Sequence, residues 1–423
     1  MVNNERRNQM KLKIGNEIVY YQKSNKFKNI ILGIYMAAPF DLKYKMEWPI
    51  LARLLDKTNG LYKTEEEYQN YCYDNYGLSI SVDTYFLGKS YIFCYYVNFV
   101  NPKYLPEDID LMKEAFSLLE NTITNPDFTV EKLEVEKYNI KNSILNLQNN
   151  KQRYAFQEYM KLLCQGSITE HVLNKSIEEL NKVTLDTLKE AYQKMLNFSR
   201  LCFISGDVKK VDVVDYFSHL SLPPQLYNYK KLVMYEKLPQ RVGAPQVKIV
   251  DEIMESSILY VGYRVDEYYF DKDFFALVIL SMILGGGSYS EAYKRIREEK
   301  GLIYYVDCSY DKRRGTISFV MEIDKNNYDI ILEILNEIIK DFQTGQFDQT
   351  LLDKAFSEIS NTIYKENDRI SSICSVICDE LDHFEPLTTQ EILDKYLATT
   401  KDDIISVANK MRLDTIYFLR GDQ

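Results

Sequence analysis

A chain of 423 residues is too long for one hydrophobic core of ordinary size, so two domains of roughly 200 residues each are expected. Hydrophobic residues at 46% and charged residues at 27% exclude an extensively disordered chain and describe a globular protein. The net charge of -10 excludes a surface dominated by the clustered Lys and Arg that hold nucleic acid by its phosphates.

In chain order, residues 1–13 are polar and lack the apolar run of a secretory signal. No later stretch approaches the roughly 18 apolar residues of a membrane span. A cytoplasmic protein with no membrane partner is expected. Residues 48–60, WPILARLLDKTNG, read as a helix. Residues 77–83, GLSISVD, and the run SYIFCYYVNFV after Gly88 carry the aromatic and β-branched residues of strands. Apolar residues then recur at helical steps over 108–119 and 128–147. His171, beside Glu170, has no evident acid–base partner and reads as a solvated or structural residue. Thr184 is the expected N-cap of the helix TLDTLKEAYQKM, and SRLCFISGD closes this half in a Gly-Asp turn at Asp207.

Four of the ten prolines fall between Pro223 and Pro245, in a stretch with neither helical nor strand periodicity. This marks a linker at 223–247 between units spanning 1–222 and 248–423. Beyond it, Gly285 to Gly287 lack the Gly-Lys-Ser or Gly-Lys-Thr ending of a phosphate loop, and a tight turn before a helix capped by Ser288 or Ser290 is expected. GLIYYVD at 301–307 and TISFVMEID after Gly315 are strand-like, and helical periodicity returns over 329–342 and 351–366. Seven cysteines without framework spacing point to reduced thiols. Cys374 and Cys378 would share a helix face, yet no further metal ligand lies near them in the sequence. Thr400 caps the helix TKDDIISVANKM, and DTIYFLRGD ends at Asp422.

The two Gly-Leu strand starts, the two threonine-capped helices and the two Gly-Asp endings follow one another in the same order on either side of the linker. The chain therefore reads as a tandem duplication of one α+β unit, each half a mainly antiparallel sheet with helices packed on it.

The stretch LGGGSYSEAYKRIREEKGLIYYV, 284–306, closely resembles the second-half signature of M16 peptidase subunits, the family of the mitochondrial processing peptidases. The duplicated layout, the linker and the Gly-Asp endings fit that family over essentially the whole chain. Asn75-Tyr76-Gly77 and KQRYA at 151–155 are further similar to the YmfF-like subfamily. That resemblance implies a zinc-bearing M16 partner and, more remotely, a link to modification of elongation factor P.

Active M16 members carry H-x-x-E-H on a helix of the first half, two histidines that bind zinc and a Glu that acts as general base, with a distal Glu completing the site. The resemblance puts those positions on Leu51, Leu54 and Leu55, the distal ligand near Ser143, and a first acidic position on Glu136. The chain's three histidines, His171, His219 and His383, form no pair at ligand spacing. No zinc is expected in this chain; the resemblance implies it in the partner subunit.

The same resemblance implies that Arg297 and Tyr304 reach the active cleft, where guanidinium and phenol donors suit the negative charge that develops on a scissile carbonyl. Alternatively, Arg297 pairs with Glu298 or Glu291, and Tyr304 is one of 35 tyrosines, packed at a strand edge. Tyr305 is expected on the opposite face of the strand. The implied function is a catalytically incomplete subunit that pairs with a zinc-bearing H-x-x-E-H subunit and lends Arg297 and Tyr304 to hydrolysis of a peptide or unfolded protein. The alternative is a non-catalytic peptide-binding or scaffold protein supporting a modification pathway, with elongation factor P implied by the YmfF-like resemblance alone.

Overall fold

The computed structural model describes residues 9–106, 109–225, 232–241, 243–269, 271–366 and 387–422. Two sheets organise them. The first contains β1 (Gln9–Ile14), β2 (Glu17–Lys23), β3 (Asn29–Pro39), β4 (Ser79–Leu87), β5 (Ser90–Val100) and β6 (Ser199–Gly206), in the order β1-β2-β6-β3-β5-β4. The second contains β7 (Gln246–Glu252), β8 (Ser257–Arg264), β9 (Ile303–Asp311), β10 (Thr316–Ile323) and β11 (Arg412–Gly421), in the order β7-β11-β8-β10-β9. Setting β2, β6, β3, β5 and β4 against β7, β11, β8, β10 and β9 superposes the two orders. Each sheet is antiparallel except for one parallel pair, β2 with β6 and β7 with β11. The duplicated, mainly antiparallel architecture is thus present, with β1 as an addition to the first sheet.

The repeated sequence landmarks fall on equivalent elements. GLSISVD runs into β4 and GLIYYVD into β9, while the Gly-Asp endings close β6 and β11. Thr184 and Thr400 each form a capping box: the hydroxyl accepts from the backbone N–H three residues on, and that residue's side chain reaches back to the cap. The four periodic segments are helices Leu111–Thr124, Val130–Leu145, Tyr328–Thr344 and Thr350–Glu366.

β6 and β8 are buried at every residue, because both faces of each sheet are covered. One face of the first sheet carries the large core of Trp48, Phe93, Leu119 and Met195. Tyr35, Cys94, Phe203 and Met234 pack on its other face. The second sheet buries Leu280, Phe319, Leu335 and Phe342 on one side, and packs Tyr260, Tyr417 and Leu419 beneath helix Lys151–Leu163 on the other.

That helix places Ala155, Tyr159 and Leu163 along one stripe, and Tyr159 stacks on Tyr260 with centroids 4.8 Å apart. A Cβ at Gly262 would lie 2.2 Å from the Tyr159 hydroxyl, so this close crossing requires glycine. By contacts, the described parts of Met1–Ile144 and Lys175–Met234 gather into one compact unit. Leu145–Asn174 gathers with the described parts of Tyr235–Lys365 and Thr389–Gln423 into the other.

The linker is an ordered strap where it is described. From Leu232 to Leu238 burial alternates, with Met234, Glu236 and Leu238 inward. Within the first unit the Val233 carbonyl accepts from the Lys89 N–H at 2.8 Å. Within the second, the Glu236 carboxylate accepts from the Ile168 N–H at 2.7 Å and the Thr169 hydroxyl at 2.5 Å. A buried Glu at one inward position breaks the apolar alternation by which such a strand is read from sequence. Among the described residues no helix is long and apolar enough to cross a membrane.

Candidate functional site

The helix Glu47–Lys57 carries the positions where the resemblance puts zinc ligands. Leu51, Leu54 and Leu55 are 0%, 4% and 2% exposed and belong to the main core of the first unit. Hydrocarbon side chains offer zinc no donor, so these residues do not fit a metal. Among the described residues no three His, Cys, Asp or Glu come together as a metal-binding group.

Glu136, on helix Val130–Leu145, is buried at 1% exposure, whereas Ser143, two turns on, is exposed. The Glu136 carboxylate is held by Lys57 at 2.8 Å and faces Arg53 at 3.6 Å. Two cations of helix Glu47–Lys57 thus face this acid, and its hydrogen bond raises the Lys57 pKa. His171 and His219 are exposed, and His219 Nδ1 lies 2.8 Å from the Asp215 carbonyl. Cys374, Cys378 and His383 lie outside the described residues. The five described cysteines are buried and take part in no disulfide, and burial pushes the Cys164 thiol up to about 12.

In the second unit, the glycine run does not form the expected tight turn. Gly285 and Gly286 continue the helix Phe274–Ser281 as a widened turn, and only Gly287 leaves it, in extended conformation. The reason is packing: a Cβ on Gly285 would meet the Cys308 Cβ at 2.7 Å and the Phe319 ring at 3.1 Å, so the turn lies flat against β9 and β10. The Ser290 hydroxyl accepts a long bond, 3.4 Å, from the Tyr293 N–H.

Arg297 sits in the helical turn Tyr293–Glu298. The turn closes at Gly301 with φ of 63°, the Gly301 N–H donating to the Arg297 carbonyl and the Leu302 N–H to the Ile296 carbonyl, each at 3.0 Å. This reversal feeds directly into β9. Arg297 donates from Nη1 to the Tyr293 hydroxyl at 2.8 Å and stacks over that ring at 4.9 Å. Of the two acidic partners expected, Glu291 pairs with Arg295 at 2.7 Å, and Arg295 also reaches Asp341 at 2.6 Å, while no ion pair joins Arg297 to Glu298 among the described residues. Sequence reasoning did not single out Tyr293, although its spacing of four residues from Arg297 is the helical one.

Tyr304 and Tyr305 are 68% and 51% exposed. β9 does not keep strict alternation, because the pairing with β10 slips between Glu322 and Ile323, leaving Tyr304 between Ile303 and Tyr305 without its own partner. The bulge exposes two successive tyrosines, so Tyr305 is not the inward counterpart that alternation predicts. β9 is also the edge of its sheet. A guanidinium with solvent access and a phenol on an exposed edge are hydrogen-bond donors available to a carbonyl oxygen.

Comparison with known proteins gives a consistent placement. Residues 182–359 match the family described as Peptidase M16 inactive domain. The chain is 23% identical to a Bacillus subtilis protein named "Probable inactive metalloprotease YmfF", over 98% of both chains. It is 22% identical to the "Non-peptidase homolog YmxG" of Helicobacter pylori, over 61% of this chain and 60% of that one. A solved structure of a conserved protein from Enterococcus faecalis V583 shares the fold, with TM-score 0.90 at 23% identity, covering 98% of this chain and 99% of that one. The chain thus matches the M16 inactive-domain description over residues 182–359 and is similar along its whole length to a relative named a probable inactive metalloprotease, while the positions where the resemblance puts zinc ligands are buried leucines.

Proposed function

We propose that this chain is the non-zinc member of a two-chain M16-type peptidase, pairing with an H-x-x-E-H subunit and lending Arg297 and Tyr304 to a cleft whose metal the partner holds. The observation that carries this reading is the preparation of Arg297. Its guanidinium is steadied by the Tyr293 hydroxyl and ring, a neutral holder, with no acidic partner among the described residues, and Tyr304 is an exposed phenol on the edge strand that follows. A preset donor of this kind stabilises an oxyanion without reorganising during the reaction.

Co-expression with a zinc-bearing M16 chain tests both parts. A one-to-one complex is expected, and Arg297→Ala or Tyr304→Phe should leave it intact while lowering peptide turnover on the order of a hundredfold. Tyr293→Phe, which keeps the ring and removes the hydroxyl, should have a smaller effect in the same direction. Separate monomers at micromolar concentration would remove the pairing, and turnover within about twofold of wild type would make the two side chains structural. A second reading, a non-catalytic peptide-binding or scaffold protein, draws support from the relative named a non-peptidase homolog. An intact complex whose turnover ignores all three substitutions would favour it.

A further inference from the structure

Within the second unit, a cavity of about 240 Å³ is lined by Arg241, Gly243, Pro245, Arg264, Arg412 and Asp414. Its inner wall is a buried charge cluster with unequal signs. Asp414 occupies an extra position in β11, where the pairing with β8 shifts between Leu413 and Thr415, and this bulge brings its carboxylate to the last residue of β8. Arg264 Nε lies 2.6 Å from one Asp414 oxygen, and Arg241 Nη1 lies 2.8 Å from the other. The Arg264 and Asp414 side chains are only 6% and 5% exposed, and that of Arg241 is 19% exposed. Two guanidinium groups therefore share one carboxylate, leaving a surplus positive charge in a poorly hydrated place.

Three further features point the same way. Arg264 Nη1 donates to the Pro239 carbonyl, but Nη2 is buried without a hydrogen-bond partner among the described residues. Arg412 stands directly opposite Arg264 in the β11–β8 register, and like charges so placed repel unless something negative lies between them. Arg412 has an exposed partner in Asp266, but its side chain remains 63% exposed and can turn towards the cavity. The mouth is open at Gly243, where a Cβ would meet nothing within 4 Å.

We propose that this cavity binds one oxoanion, a phosphate or a carboxylate, between Arg264, Arg241 and Arg412. Its oxygens would accept from Arg412 and offset the surplus charge of Arg264 and of Arg241, whose Nη groups are already held by Asp414, Thr415 and the Leu162 and Leu163 carbonyls, and guanidinium forks match both anions in geometry. The volume admits a single anionic group and falls short of the usual pocket for a larger organic ligand, roughly 300–1,000 Å³.

The full chain, titrated calorimetrically at low ionic strength with inorganic phosphate, and separately with a capped tripeptide bearing a free C-terminal carboxylate and with its amide twin, tests the site. Saturable binding of one phosphate, or of the acid peptide and not the amide, is expected, and which of them binds identifies the source of the anion. Arg412→Gln, at an exposed side chain, should keep the circular dichroism spectrum and weaken binding at least fivefold; Arg241→Gln should weaken it further. The site is refuted if neither phosphate nor the acid peptide binds better than the amide, or if folded Arg412→Gln binds as wild type does.

Discussion

Glu136 shows how a residue can be placed by a family frame while its role stays hidden. Its position was legible on the helix, but the cations that hold it come from Arg53 and Lys57, a helix far away in sequence. The ligand positions Leu51, Leu54 and Leu55 were legible as apolar, and their burial completes that reading. Asp56, beside them, was not singled out. It accepts the Val82 N–H at 2.7 Å, and burial, reinforced by the nearby Asp83 and Glu136 charges, holds its carboxyl above the usual carboxylate range. Between its unfolded and folded pKa values the folded chain binds more protons, so this group's contribution to stability falls as pH rises through that window. Asparagine keeps the acceptor and removes the charge. Asp56→Asn should therefore raise stability at pH 7 and do so much less near pH 4, read as the difference in Tm from wild type at each pH.

Among elements, local chemistry was legible and tertiary contact was not. The capping threonines and the four periodic helices follow from residues within a turn of one another. The Gly285 turn and the bulge that exposes both Tyr304 and Tyr305 depend on neighbours across the sheet. The strap from Leu232 to Leu238 was unreadable because one of its inward residues is Glu236. Two glycines of the signature stretch should accordingly respond differently to substitution. Gly285→Ala should cost about 2 kcal/mol by overpacking against Cys308, with Gly285→Asn worse. Gly301, with φ of 63° and open space around it, should lose about 1 kcal/mol as Ala and recover most of it as Asn, which tolerates the left-handed region. Urea midpoints of the four variants check the contrast.

For the whole molecule, the duplication was legible because both halves repeat their strand starts, caps and endings, and the two strand orders match. The grouping of Leu145–Asn174 with the second unit left no comparable trace, since an amphipathic helix declares that it has an apolar face without naming the surface that face will cover. A gene cut after residue 225 should expose this. The 226–423 fragment would lack the stripe of Ala155, Tyr159 and Leu163 and leave Tyr260, Tyr417 and Leu419 uncovered, so each fragment alone should bind a hydrophobic dye or aggregate. Co-produced, the two should associate and recover a cooperative melt; a 226–423 fragment that is monomeric and melts cooperatively by itself would contradict this. The same feature bears on assembly. Because one chain carries both the helix and the surface it covers, their meeting is intramolecular and independent of protein concentration, whereas the two cut fragments must find each other in solution.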